Sequence, residues 1–272
     1  MSAFGPRLRG ALLSGRREGR RGVGAPALRR SDGYEFSELR EYVEGDDPRR
    51  IDWAATARAG TLQSRVILED RTLLLAVALD GSRSMHVGRT RSNYALASDV
   101  AALWYSAAID DDRCARLGQV PLVLRDLPGR TGARACVAQV DAPGAPFVPA
   151  LRLALATVAR GARLLIVSDF FDLEAQAPLV RACAARFDLT ALLARDPWHG
   201  GLPLGGFVRL RDAESGRVAS AYVGRPARGR YARAVAERED GVVAELRRAG
   251  ARVGLLDEDV GALQALARTF AL

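Results

Sequence analysis

Residues 72–84 read TLLLAVALDGSRS, and this stretch decides the fold. The run from Thr72 to Leu79 is almost wholly apolar. It is too continuous for a strand with one wet face, so it reads as a central strand covered on both sides. It ends at Asp80-Gly81-Ser82, residue types that make turns. A second run of the same kind, RLLIVSDF at residues 163–170, also closes on an aspartate, Asp169. In open α/β sheets, ligands bind beyond the carboxyl ends of the strands. Two parallel central strands would carry Asp80 and Asp169 over one edge.

Working outward, Ser92 caps a helix in which Tyr94, Ala97, Ala101, Trp104, Tyr105 and Ala108 share a face. Residues 113–126 read as two short strands joined near Gly118 and Pro121. Helices are expected over 131–140, 149–160, 174–186 and 228–249, the last with Tyr231, Val235, Val242 and Leu246 inward. A strand is expected over 187–194. GFVRLRDAESGRVASAYVG reads as a hairpin turning near Ser215 and Gly216. ARVGLLDED and GALQALARTF supply a last strand and a last helix. Strands alternating with helices predict an α/β fold: a doubly wound, mostly parallel, Rossmann-like sheet with a hairpin insertion and an N-terminal extension.

The chain divides into three parts by composition. Residues 1–33 are rich in arginine and glycine, with little periodicity, and are expected to form a flexible arm dispensable for folding. Residues 34–71 are expected to form an extension packing on the core. There Phe36, Leu39 and Val43 recur at helical spacing, Gly45 and Pro48 break the chain, and TLQSRVILEDR reads as a strand. Residues 72–272 form the main domain.

Hydrophobic residues make up 49% of the chain, enough for a full core and against general disorder. No apolar run reaches the ~18 residues of a membrane helix. The basic start has too short an apolar stretch for a secretory signal, so a cytoplasmic location is expected. The net charge is +8, and every one of the 40 basic side chains is arginine. Without lysine, a Walker phosphate loop lacks its phosphate-reaching side chain and Schiff-base chemistry is excluded. The two histidines, His86 and His199, give a triad or zinc site little to draw on. Cys114, Cys136 and Cys183 show no paired metal spacing and read as buried reduced thiols.

The spacing Asp80-x-Ser82-x-Ser84 has a physical use. A turn after the strand can aim one carboxylate and two hydroxyls at a point. Such hard oxygen donors suit Mg²⁺ or Mn²⁺, weakly bound and with room for water or for a partner's carboxylate. Asp110, Asp111 and Asp112 read as an exposed turn rather than a cation site. His86, just beyond this loop, and His199 read as loop residues.

DGSRS at 80–84 resembles the metal-ion-dependent adhesion site of von Willebrand factor A domains. GYEFSELREYVEGDDPRRIDW at 33–53 and RDPWHGGLPLGGFVRLRDAESGR at 195–217 resemble the bacterial family called domain of unknown function 58. The resemblance covers about residues 31–270. It implies a von Willebrand factor A-like fold and a family often encoded beside MoxR-type AAA+ ATPases. Residue by residue, Asp80, Ser82 and Ser84 match the first metal-site element. Asp169 matches the later aspartate, whose usual neighbours are Thr and Gly where this chain has Ser168 and Phe170. Thr131, in PGRTGAR before a helix, is the candidate for the middle threonine, or else a helix N-cap. The resemblance also marks Asp46, Asp47, Arg49, Arg50, Asp52 and Trp53 as a signature. These residues form either a docking surface or an ion-pair network with a packed tryptophan.

The leading functional expectation is a non-enzymatic, metal-dependent protein–protein interaction module. Its partner would be a MoxR-type AAA+ ATPase, an acidic protein ligand, or both. A metal-dependent phosphoesterase using Asp80 and Asp169 is the enzymatic alternative, although no histidine or lysine stands ready as acid or base. Nucleic-acid binding through Arg16, Arg17, Arg20 and Arg21 is the third, weakened by the lack of interleaved aromatics.

Overall fold

Leu75, Val77 and Leu79 face one apolar layer while Ala76 and Ala78 face another. That is the alternation required of a strand buried on both sides. The computed structural model describes residues 4–14, 36–42, 51–67, 72–117, 125–137 and 146–272. The helices are α1 (Phe4–Ser14), α2 (Trp53–Ala59), α3 (Asn93–Tyr105), α4 (Gly129–Val137), α5 (Phe147–Thr157), α6 (Leu173–Arg186), α7 (Arg225–Arg248) and α8 (Gly261–Phe270). The strands are β1 (Phe36–Glu41), β2 (Gln63–Ile67), β3 (Leu74–Leu79), β4 (Arg113–Leu117), β5 (Arg125–Pro128), β6 (Arg163–Ser168), β7 (Asp188–Ala194), β8 (Gly206–Arg211), β9 (Val218–Val223) and β10 (Arg252–Leu256).

The chain divides into two compact units, one of residues 22–72 and one of the rest. In the larger unit six strands run in the order β10-β7-β6-β3-β4-β5. All neighbours pair in parallel except β4 with β5. Helices α1, α3, α4 and α8 supply the apolar layer on one face, and α5, α6 and α7 the layer on the other. The expected α/β, doubly wound, mostly parallel sheet is therefore present. The order reverses between β3 and β6, the position where such sheets open a crevice for ligands. The expected face of α3 is buried from Tyr94 to Ala108, and Ser92 caps that helix by accepting from Ala95 N at 3.2 Å. The three cysteines are buried. Among the described residues, no helix is long and apolar enough to cross a membrane.

The expected flexible arm is different at its start. Residues 4–14 are helical, and Leu8 and Leu12 lie fully buried in the core, one turn apart on the same face. Arg163 Nε donates to the Leu12 carbonyl at 2.9 Å, and Arg9 pairs with Asp112. Gly5, Pro6 and Gly10 hide this helix from a propensity reading, but tertiary burial overrides them. Gly5 also lets α1 approach α3, because a Cβ there would lie 2.3 Å from the Ser106 carbonyl oxygen. Asp112 is fully buried, not exposed: its Oδ1 accepts from Leu73 N at 2.7 Å and its Oδ2 from Ile109 N at 2.8 Å.

In the smaller unit β1 and β2 pair antiparallel. The segment beginning at Phe36 is thus a strand, not the helix its apolar spacing suggests. A register irregularity between Phe36 and Glu38 breaks the two-residue alternation that marks a strand. Asp52 caps α2 by accepting from Ala55 N at 2.9 Å, and Gly60, at φ 72°, closes it.

Candidate functional site

The register of β3 against β6 brings Leu79 opposite Val167, so Asp80 and Ser168 leave the sheet side by side. Asp80 is buried, at 2% exposure, and held at three points. Its backbone N–H donates to the Val167 carbonyl at 2.9 Å. Its Oδ1 accepts from Ser82 N at 2.9 Å, and its Oδ2 accepts from the Ser168 hydroxyl at 2.6 Å. Burial pushes the Asp80 carboxyl up from its ordinary value. The Ser168 and Ser82 hydrogen bonds oppose that rise, and the nearby charge of Asp169 adds to it. This is a carboxylate stripped of water and beside a second acid, a setting that favours a bound cation.

The loop after Asp80 is stiff. Residues Ser84–His86 form one 3-10 turn, anchored by the fully buried Met85. Within it the Ser82 and Ser84 hydroxyl oxygens lie 3.1 Å apart. Two adjacent oxygens each ~2.0–2.1 Å from an octahedral Mg²⁺ lie about 2.9 Å apart, so the pair matches that requirement. Asp169 is close by, half-buried. Its Oδ1 accepts from Phe171 N at 3.0 Å and its carbonyl accepts from Arg238 at 3.0 Å. Phe170 sits at φ 49°, the left-handed region that favours glycine. Its ring is fully buried, edge-on to Phe147 at 5.7 Å, which holds the strained turn in place.

The structure brings Asp80, Ser82, Ser84 and Asp169 to one edge. Thr131 is not among them. β5 runs antiparallel to β4, pairing Pro128 with Arg113, and Arg113 stands opposite Leu74 at the start of β3. Thr131 follows at the far end of the sheet. The six residues of β3 separate it from the aspartate by roughly 20 Å at ~3.3 Å per residue. It is also exposed inside α4, not an N-cap. Of the other candidates, Asp46, Asp47, Arg49 and Arg50 lie outside the described residues, as does the Arg16–Arg21 cluster. Asp52 is the buried cap of α2, and Trp53 is 69% exposed on its first turn instead of packed.

Three neighbours of the site escape a reading of the sequence. Ser168 is the hydrogen-bond partner of Asp80, although in the sequence it is visible only as a departure from the usual threonine. Glu214, at the tip of the β8–β9 hairpin, accepts from Ser84 N at 2.7 Å, while its carbonyl accepts from Arg83 at 3.2 Å. Along the same edge Arg195 bridges Glu239 at 2.9 Å and Asp257 at 3.3 Å, with His199 beside Asp257 at 3.9 Å. His86 is exposed and stacks on Tyr94 at 4.9 Å.

Residues 38–241 match the family described as "Protein of unknown function DUF58". The chain belongs to the DUF58 family. Its DUF58 relatives include the uncharacterized proteins Rv1480 of Mycobacterium tuberculosis and Mb1516 of Mycobacterium bovis. Each is 32% identical over 233 residues, covering 80% of this chain and 73% of the relative. Two solved structures are also similar. One is described as the conserved hypothetical protein BatB from Bacteroides thetaiotaomicron, with TM-score 0.44, 17% identity, and coverage of 73% of this DUF58 chain and 97% of that chain. The other is an aerotolerance-related membrane protein from Bacteroides fragilis, with TM-score 0.45, 15% identity, and coverage of 73% and 98%.

Proposed function

We propose that this DUF58 chain is a von Willebrand factor A-like, metal-dependent protein–protein interaction module without enzymatic activity of its own. The observation that carries the reading is the convergence of the buried Asp80 carboxylate with the Ser82 and Ser84 hydroxyls, 3.1 Å apart, at a strand end. Asp80, Ser82, Ser84 and Asp169 would hold a weakly bound Mg²⁺ or Mn²⁺, with Asp80 and Asp169 acting directly or through water. When bound, the ion supplies positive charge and an open coordination position for an anionic oxygen. The chain's own part is to hold that position ready. Ser168 fixes the carboxylate, Met85 pins the loop, and the Phe170 turn carries Asp169 to the same edge. The natural occupant is an Asp or Glu of a partner protein. Resemblance within the family points to a MoxR-type AAA+ ATPase in the cytoplasm as the working partner.

The test is capture of proteins from a bacterial lysate, and of a purified MoxR-type ATPase, in magnesium, in EDTA and with Asp80→Ala. The proposal requires partners recovered in magnesium alone. Equal recovery in all three would overturn it and shift attention to the 46–53 segment.

A further inference from the structure

The hairpin between β7 and α7 ends in a turn built to present one side chain. Asp212 Oδ1 accepts from Ser215 N at 2.6 Å and from the Ser215 hydroxyl at 2.8 Å. The Gly216 amide returns to the Asp212 carbonyl at 2.9 Å, with Gly216 at φ 69°. These bonds stiffen the tip. Glu214 stands on it and reaches across to the metal loop, 130 residues earlier in the chain. It makes two contacts there: its carboxylate takes the Ser84 amide and its carbonyl takes the Arg83 guanidinium. An acid is thus already seated on the amide of the last serine in Asp80-x-Ser82-x-Ser84.

The strands behind the tip are suited to movement. No residue of β8 is buried, and in β9 only Val223 at the base is. An edge-to-face pair, Phe207 with Tyr222 at 5.2 Å, joins the strands near that base. The carboxylate–amide bond is charge-assisted but solvent-exposed, so water competes with it. A tethered group of this kind has an effective concentration on the order of mM, enough to resist a weak ligand and yield to a good one.

We infer that Glu214 is an internal stand-in for the partner's carboxylate, and that an acidic partner docks on the Ser82–Ser84 loop by displacing the β8–β9 hairpin tip. This rests on the proposed metal-dependent docking function and adds its regulation. The hairpin keeps the site covered until a competing acid arrives, so the partner's docking segment must carry Asp or Glu.

Three measurements on the full chain test it. Amide exchange at Ser84 in metal-free protein reads the latch itself: Glu214→Ala should speed exchange several-fold over wild type. Mn²⁺ titration by electron paramagnetic resonance should show similar affinity for wild type and Glu214→Ala, with binding lost in Asp80→Ala. Hexaglutamate peptide, titrated with Mn²⁺ present, should then bind Glu214→Ala at least fivefold more tightly than wild type. Glu237→Ala removes the same charge from an exposed position on α7 and should leave peptide affinity unchanged. Unchanged Ser84 exchange, or peptide affinity equal in wild type and Glu214→Ala, would overturn the latch while Asp80-dependent Mn²⁺ binding stood. A matching gain in Glu237→Ala would also overturn it, by reducing the effect to net charge. Failure of wild type to bind Mn²⁺ would instead sink the underlying docking proposal.

Discussion

The Ser168 hydroxyl donates to Asp80 Oδ2 at 2.6 Å and accepts from Phe170 N at 2.9 Å, linking two neighbouring strand ends through one side chain. It fixes the orientation of the carboxylate and the start of the turn that carries Asp169. Ser168→Ala would leave a buried carboxylate oxygen and a buried amide without that partner. The expected loss of stability is about 1–3 kcal/mol. Mn²⁺ affinity should fall roughly 10–100-fold, as for other groups that orient a metal ligand. Urea unfolding and Mn²⁺ titration measure the two effects. Unchanged Mn²⁺ affinity would show that the carboxylate does not need Ser168.

Burial raises the Asp80 carboxyl above its ordinary value, so the folded protein holds that proton more tightly than the unfolded chain does. The stability this contributes is full below about pH 4 and is lost as pH rises through the raised value. Each tenfold gain in proton affinity on folding is worth about 1.4 kcal/mol. In EDTA at pH 7, Asp80→Asn should melt higher than wild type, and the gap should close as pH falls toward 4. Saturating Mn²⁺ should reverse the order by stabilising wild type alone. A variant that melts lower than wild type at pH 7 in EDTA would contradict this account of Asp80.

Much of the fold is legible in the sequence because its signals are local. The apolar runs of β3 and β6, the buried face of α3 and the hairpin at Ser215–Gly216 each sit within one stretch of chain. What stays hidden depends on distant partners. Leu8 and Leu12 are two apolar residues among glycines and a proline until the core that receives them exists. Thr131 lies at the opposite end from the Asp80–Ser84 loop because the second strand of the 113–126 region returns antiparallel, a direction that its short connection dictates and that a placement by family resemblance passes over. Asp80, Ser82 and Ser84 can be read from spacing, and Asp169 from its strand. Glu214 cannot, since nothing in its neighbours announces a contact with Ser84.

The N-terminal helix should matter for stability. Leu8 and Leu12 are fully buried, and each such side chain contributes roughly 1.5–3 kcal/mol. Deleting residues 1–14 should therefore remove about 3–6 kcal/mol from a typical margin of ~5–15 kcal/mol. Leu12→Ala alone should cost about 2–5 kcal/mol. Thermal melting of both variants checks this, and a truncated chain as stable as the full one would restore the flexible-arm description.

Arg195 is a quarter exposed, but its partners Glu239 and Asp257 are almost wholly buried. Removing the guanidinium would leave two acids facing each other without it. Arg195→Ala should cost about 3 kcal/mol, the lower end for a broken buried pair, because Arg195 itself is partly solvated. Arg195→Ala combined with Glu239→Gln should recover part of that loss. Urea titration of the single and double variants reads the coupling, and additive losses would show that the two groups act independently.

The most direct test of the central claim is anomalous diffraction from a crystal of the chain soaked in Mn²⁺. The account predicts one strong peak about 2 Å from both the Ser82 and Ser84 hydroxyl oxygens and beside the Asp80 carboxylate. The same soak of Asp80→Ala should give no peak there. A saturating soak that leaves the Ser82–Ser84 loop without anomalous density, or places the ion elsewhere on the chain, would contradict it.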